Sequence, residues 1–190
     1  MPNMRMAVAT DNKHNCIDAR RHILEHSLPM SQMSPKDVVE IGIKAVLPTT
    51  SGSAVFLGNE EKVFVIYVDP LVGNAISMMI RETKHERPLT HDLMGMMLAG
   101  FGAKVERVII NDLKGATYYG RMIMTAENEL QQRKVVELDA RPSDCLAMAA
   151  QQKAPIYATG EVWNEVEDMS EVLKKMIEQS PDEKGEEGGK

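Results

Sequence analysis

The pattern of apolar and polar positions changes character near residue 35. Upstream, the chain is rich in Met, Asn, His and Ser and carries one amphipathic stretch, "CIDARRHILEHSL", with Ile17, Leu24 and Leu28 near helical spacing. Downstream, "VVEIGIKAVL" alternates. Val39, Ile41, Ile43 and Ala45 fall on one side and Glu40, Gly42 and Lys44 on the other, which predicts a half-buried strand. "AVFLGNEEKVFVIYV" reads as two strands joined through Gly58-Asn59-Glu60-Glu61, and the unbroken apolar run Val63 to Val68 predicts a central strand covered on both faces. Asp69 and Pro70 open a helix whose stripe is Val72, Ala75, Ile76, Met79 and Ile80, with the proline where a missing N–H costs nothing. A second helix fills "ERPLTHDLMGMMLAGFG" and stops at Gly100 and Gly102.

Three further strands follow in "AKVERVII", "TYYGRMIMT" and "KVVEL", the first two forming a hairpin through "NDLKGA". A helix beginning near Pro142 packs Cys145, Leu146 and Ala149, "PIYAT" is a short strand, and "EVWNEVEDMSEVLKKMIEQ" is a terminal helix. Strands come in runs rather than alternating with helices. That order predicts an α+β fold with a mixed, mainly antiparallel sheet and helices packed on it. Residues 1–35 read as an N-terminal extension, partly helical or flexible, and 36–179 as one domain. Residues 180–190 read as a disordered acidic tail, too polar and Gly-rich to bury a core.

Composition narrows the class. With 43% hydrophobic and 26% charged residues the chain can build one sizeable core. No window approaches the ~18 consecutive apolar residues of a membrane span, and "MPNMRMAVATDNKHN" has no apolar core of a secretory signal. Cys16 and Cys145 are too far apart in sequence to suggest a disulfide framework, so a reducing cytoplasm is the default location. His22 and His26 lie four apart, with Cys16 and His14 near, but structural zinc wants four ligands and a peripheral surface helix is the better reading. The net charge is −6, of which the last twelve residues contribute −2. Phosphate neutralisation by Lys and Arg supplies most non-specific nucleic-acid affinity. An acidic chain is therefore a poor general nucleic-acid coat and needs a local basic patch or a bridging metal.

Two stretches carry candidate chemistry. In "RPLTHDLM", Thr90 suits an N-cap, Leu89 and Met94 a hydrophobic staple, and Asp92 the helix dipole. In "ELDARPSDCLAMA", Asp139 ends a strand, Pro142 fits a first helical turn, and Asp144 favours the dipole. Helix-start chemistry thus accounts for most of both. Yet both present free N–H groups suited to phosphate, and each has a basic neighbour: Arg87 with His91, and Arg141. The carboxylates would repel a phosphate unless a cation lay between, and Mg²⁺ binds through one or two carboxylates plus phosphate oxygens. On this reading Asp139, Asp144 and Asp92 are candidate ligands of Mg²⁺ or Mn²⁺. Asp139, Arg141, Asp144 and His91 are candidate catalytic groups, and Arg87, Thr90, Arg141 and Ser143 candidate substrate-binding groups. The metal would polarise a phosphoryl oxygen and acidify bound water, while Arg141 met the developing charge in bidentate fashion. Spacing alone does not bring the two stretches together.

"RPLTHDL", "VERVIINDLKGATYYGRM", "LDARPSDCLAMA" and "APIYATGEV", in this order, resemble the bifunctional nuclease domain family over about residues 38–165. The resemblance implies an α+β fold that tends to dimerise and activity as both DNase and RNase. The expected function is a nuclease hydrolysing DNA and RNA phosphodiesters with low sequence specificity, assisted by a divalent metal and working as a homodimer. The alternative is a non-catalytic dimeric binding or regulatory module that keeps the fold. The acidic charge favours it, and so does one departure: where relatives often carry an acid in the helix after the third strand, this chain reads "DPLVGNAI", with Val72 there. Tyr118 and Tyr119 point to opposite faces of a strand, so at most one meets a ligand, and packing is the default for both. Met78, Met79, Met94, Met96 and Met97 make flexible apolar faces for the core or a dimer contact, and Trp163 reads as a packing anchor.

Overall fold

The computed structural model describes residues 38–83, 86–127 and 133–179. The expected N-terminal extension, with its His14, Cys16, His22 and His26, and the expected acidic tail lie outside the described residues. Within them run β1 (Val38–Pro48), β2 (Ser53–Gly58), β3 (Val63–Val68), α1 (Pro70–Ile80), α2 (Thr90–Gly100), β4 (Ala103–Lys114) and β5 (Thr117–Glu127). Then follow β6 (Arg133–Ala140), α3 (Pro142–Gln152), β7 (Ile156–Thr159), α4 (Gly160–Glu165) and α5 (Ser170–Gln179). The strands form one sheet in the order β3-β2-β1-β7-β4-β5-β6. Every pairing is antiparallel except β4 with β7, so the fold is α+β as the runs of strands predict. No helix among the described residues is long and apolar enough to cross a membrane.

The sheet curls around α3. Phe64 of β3 stacks on Tyr118 of β5 with ring centroids 5.9 Å apart, although four strands separate β3 from β5 in the sheet order. Trp163 meets the same Phe64 edge-on, as a packing anchor should. Inside the curl, Cys145, Leu146 and Ala147 are wholly buried, packed with Val55, Phe64, Val108 and Ile110 from both halves of the sheet. Small residues on α3 let it approach the strands closely. A Cβ on Gly120 of β5 would lie 3.0 Å from the Cys145 sulfur and 3.2 Å from Pro142 Cα.

Four local expectations change on folding. The alternation of β1 breaks at a bulge, where Ile43 pairs Leu57 but Ala45 pairs Phe56. Val39, Ile41, Ile43 and Val46 therefore face the main core, while Ala45 and Leu47 face the reverse side with Phe56 and Leu173 of α5. β3 is an edge strand rather than a central one; its run is apolar because the core covers one face and the α5 layer the other. The "NDLK" segment is strand, leaving Gly115 and Ala116 as the turn. The terminal helix breaks in two, because Asp168 Oδ1 accepts the N–H of Ser170 at 3.0 Å and of Val63 at 3.2 Å, which starts α5 afresh.

Candidate functional site

The site is built where β6 turns into α3. Arg141 is the N-cap residue, with extended backbone, and its carbonyl accepts the N–H groups of Asp144 and Cys145 at 3.0 Å each. Its guanidinium grips the first-turn carboxylate of Asp144 in bidentate fashion, Nε to Oδ2 at 2.8 Å and Nη2 to Oδ1 at 3.0 Å. The Arg141 side chain is nonetheless 75% exposed. Asp144, and at longer range Asp69, favour its charged form.

A groove of about 400 Å³ opens beside this turn. One wall is Tyr67, Val68, Asp69 and Val72, where β3 runs into α1. The other is the hairpin Ala116, Thr117 and Tyr118 together with Arg141, Pro142 and Ser143. Asp69 caps α1, its carboxylate accepting the N–H of Leu71 at 2.8 Å. The start of α3 thus faces the start of α1. A meeting of the start of α3 with the start of α2, which the sequence leaves open, does not form.

Asp92 sits elsewhere. It accepts the N–H of Leu89 at 2.9 Å and lines a smaller cavity of about 200 Å³ with Gln151 and Lys153, at the far end of α3. The 11 residues of α3 extend about 16 Å, so Asp92, with its neighbours His91 and Thr90, is at the end of the helix away from Asp144. The N-cap of α2 is Leu89 and Thr90 is the first helical residue. Leu89 has no side-chain acceptor, so Asp92 supplies the one capping bond. Arg87 precedes this turn and is exposed.

Asp139 is separated from Asp144 by the sheet. Ala140 pairs Gly120, which faces α3, so strand alternation puts Asp139 and its cross-strand partner Arg121 on the reverse face. There Arg121 binds Glu137. Both aspartates still act on Cys145: burial foremost, then Asp144 and Asp139, push its thiol up to about 12. Among the described residues no three His, Cys, Asp or Glu side chains converge into a metal-holding group. With both Asp144 oxygens held by Arg141 and Asp139 on the other face, the donor set expected for Mg²⁺ or Mn²⁺ does not assemble.

Sequence reasoning missed Tyr67, Asp69 and Thr117 as groove residues. Tyr67 closes an apolar run and reads as strand packing, yet it is 68% exposed. Its one signal is adjacency to the Asp-Pro helix start. The suspect departure, Val72, is a wall of the groove beside Arg141.

Two uncharacterised proteins of Mycobacterium tuberculosis, from strains CDC 1551 and H37Rv, are each 30% identical to this chain over 99 residues. That match covers 52% of this chain and 56% of each relative, so the chain spans about half the length of the curated relatives it matches. The bifunctional nuclease domain matches residues 55–171, from within β2 to the first turn of α5. This interval is more than half the chain and contains every residue of the groove, and the chain belongs to the bifunctional nuclease domain family.

Proposed function

We propose that the chain is a low-specificity nuclease acting on phosphodiester bonds of DNA and RNA, with the backbone phosphate held in the groove against Arg141. The observation that carries this is the Arg141 fork, exposed in a groove that two helix starts and the Ser143 hydroxyl border, in a chain of this family. A guanidinium fork matches phosphate geometry, and helix N-termini favour anions. A phosphate that takes the fork displaces Asp144. The freed carboxylate then stands beside the phosphate, able to accept a proton from an attacking water. Ser143 and Thr117 are the hydroxyl donors of the groove. Asp139 lies on the reverse face, and it, Arg87, Thr90, His91 and Asp92 have no place in this groove. Because the donor set for Mg²⁺ or Mn²⁺ does not assemble, no step is assigned to a metal.

A second reading is a binding module that keeps the groove without cleavage. Val72 favours it, standing in the groove wall where the family resemblance implies an acid. Purified protein assayed on labelled DNA and RNA with Mg²⁺, Mn²⁺ and EDTA separates the two. The nuclease reading expects slow cleavage that Arg141→Ala and Asp144→Asn each reduce by about a hundredfold or more, the lower end of the loss expected for general base catalysis or charge stabilisation. Cleavage that persists unchanged in the double variant is contamination and ends that reading. Binding without cleavage selects the module.

The proposal includes a homodimer. The outward side of α2 carries Leu93, Met94, Met96 and Met97, with Phe101 just beyond, all 49–79% exposed. A contiguous apolar face of this kind marks an interaction surface, and a two-fold pair is the commonest closed assembly.

A further inference from the structure

We propose that Asp69 reads the 2′-hydroxyl of a ribonucleotide whose phosphate lies on Arg141, so that the groove holds RNA in preference to DNA; this rests on the nucleic-acid reading above. Asp69 is where β3 leaves the sheet and α1 begins. Its carboxylate Oδ1 accepts the Leu71 N–H at 2.8 Å, which draws the side chain onto the start of α1. That helix packs on the inner side of the curl, with Ile76 wholly buried and Val72 and Met79 against the main core. Asp69 therefore stands on the same side of the sheet as α3 and Arg141, and it lines their groove.

The two walls of the groove differ in what they offer. The Arg141 guanidinium only donates, and Ser143 and Thr117 add hydroxyls on its side. Across from them Asp69 brings a carboxylate, an acceptor-only group when ionised. Among the described residues no cation pairs with it, because Asp144 holds the Arg141 fork, and its second oxygen accepts no hydrogen bond. Asp144 first, and Asp69 at longer range, favour the charged form of Arg141, so the groups on the two walls act on each other across the groove.

A ligand that satisfies both walls carries an anion and, close beside it, a hydrogen-bond donor. The DNA backbone has phosphate and ether oxygens, all acceptors, and gives Asp69 nothing to bind. The RNA backbone adds a hydroxyl on each sugar, next to the 3′-phosphate, and that group both donates and accepts. With the phosphate on the fork, the hydroxyl meets the free oxygen of Asp69 in a charge-assisted bond. The groove's volume of about 400 Å³ falls in the range that holds one small ligand. The preference concerns the sugar and not the base, so it leaves sequence specificity low.

The test measures fluorescence anisotropy at constant salt with three labelled single strands of one base sequence: RNA, RNA with 2′-fluoro in place of each 2′-hydroxyl, and DNA. The fluoro strand keeps the RNA sugar pucker but has no donor there. The wild-type chain is expected to bind RNA about tenfold more tightly than either other strand, the lower end for a hydrogen bond to a charged group. Asp69→Gly erases that preference; glycine caps a helix almost as well as aspartate and brings no acceptor. Arg141→Ala weakens binding of all three strands alike. Thermal melts check that each variant folds. An RNA-over-fluoro preference that survives Asp69→Gly overturns the role of Asp69 while leaving the phosphate groove standing. Equal binding of RNA and the fluoro strand by the wild-type chain also overturns it. A wild-type chain that binds none of the three strands overturns both readings together.

Discussion

Replacing Gly73 with alanine sets helix propensity against packing, and the structure decides which wins. Gly73 sits in α1 directly over Ser53 of β2. A Cβ there would lie 2.2 Å from the Ser53 hydroxyl and 2.3 Å from its Cβ. Ordinary carbon contacts are about 3.5–4.0 Å, so one element must move by more than about 1 Å. The hydroxyl can rotate away, but the Ser53 Cβ cannot. β2 is buried along its whole length between the core and the α5 layer, so α1 is the element that lifts. Overpacking of this kind costs about 1–3 kcal/mol, and alanine returns about 1 kcal/mol of helix propensity. The expected net loss is about 0–2 kcal/mol, seen as a Tm drop of up to about 8 °C in a calorimetric or circular dichroism melt. The Ser53→Gly, Gly73→Ala double variant should recover part of it, with a coupling of about 1 kcal/mol in the mutant cycle. Val72 travels with α1, so oligonucleotide affinity should fall and recover in parallel. A Tm that rises in Gly73→Ala, or a cycle that is purely additive, would refute the contact as the constraint on α1.

Two further outcomes follow from other parts of the molecule. The folded state holds the Cys145 proton to about 12 against an ordinary 9.0, so above pH 9 the unfolded chain binds fewer protons and stability falls with rising pH. The slope approaches about 1.4 kcal/mol per pH unit, and urea melts of wild type and Cys145→Ala across pH 8–10.5 should show that fall in the first and lose it in the second. For the α2 face, light scattering at micromolar concentration is expected to report a dimer and Met97→Glu with Leu93→Glu a monomer; a wild-type monomer removes the interface.

What was legible in the sequence is what depends on neighbours in sequence. Period-two alternation marks β1, the turn between two apolar runs marks the β4–β5 hairpin, the Pro142 start and the small apolar residues after it mark α3, and Asp69-Pro70 marks α1. The misreadings come from contacts made at long range. Nothing within β3 says whether its second apolar face meets a strand layer or α5, so an edge strand reads as a central one. The Lys44 bulge depends on a reverse-face layer from residues 169–176, well over a hundred positions away. The meeting of helix starts is set by strand order and by the curl that brings Phe64 to Tyr118. No spacing within "RPLTHDL" or "LDARPSDCLAMA" encodes that α3 faces α1 and not α2 at its N-terminal end.

The placement of Val72 gives the Arg141–Asp144 pair its meaning. In the groove wall, an acid at that position would be a second carboxylate near the fork; here an apolar side chain takes the place, and Asp144 is the carboxylate that holds Arg141. An ion pair so open to solvent is held weakly, because water screens it and long side chains lose freedom in forming it. It orients the fork without locking it. A backbone phosphate presents the same planar pair of acceptors and two helix starts favour its charge, so exchange with Asp144 requires no rearrangement of α3. The net charge of −6 does not oppose this, since a single fork acts at contact distance while distributed surface charge is screened beyond about 10 Å. On the proposed reading, the chain would hold nucleic acid through one phosphate at a time at the Arg141 fork. A backbone phosphate is common to every nucleotide, so that mode would need no sequence preference and would make Arg141, rather than total charge, the determinant of what the groove accepts.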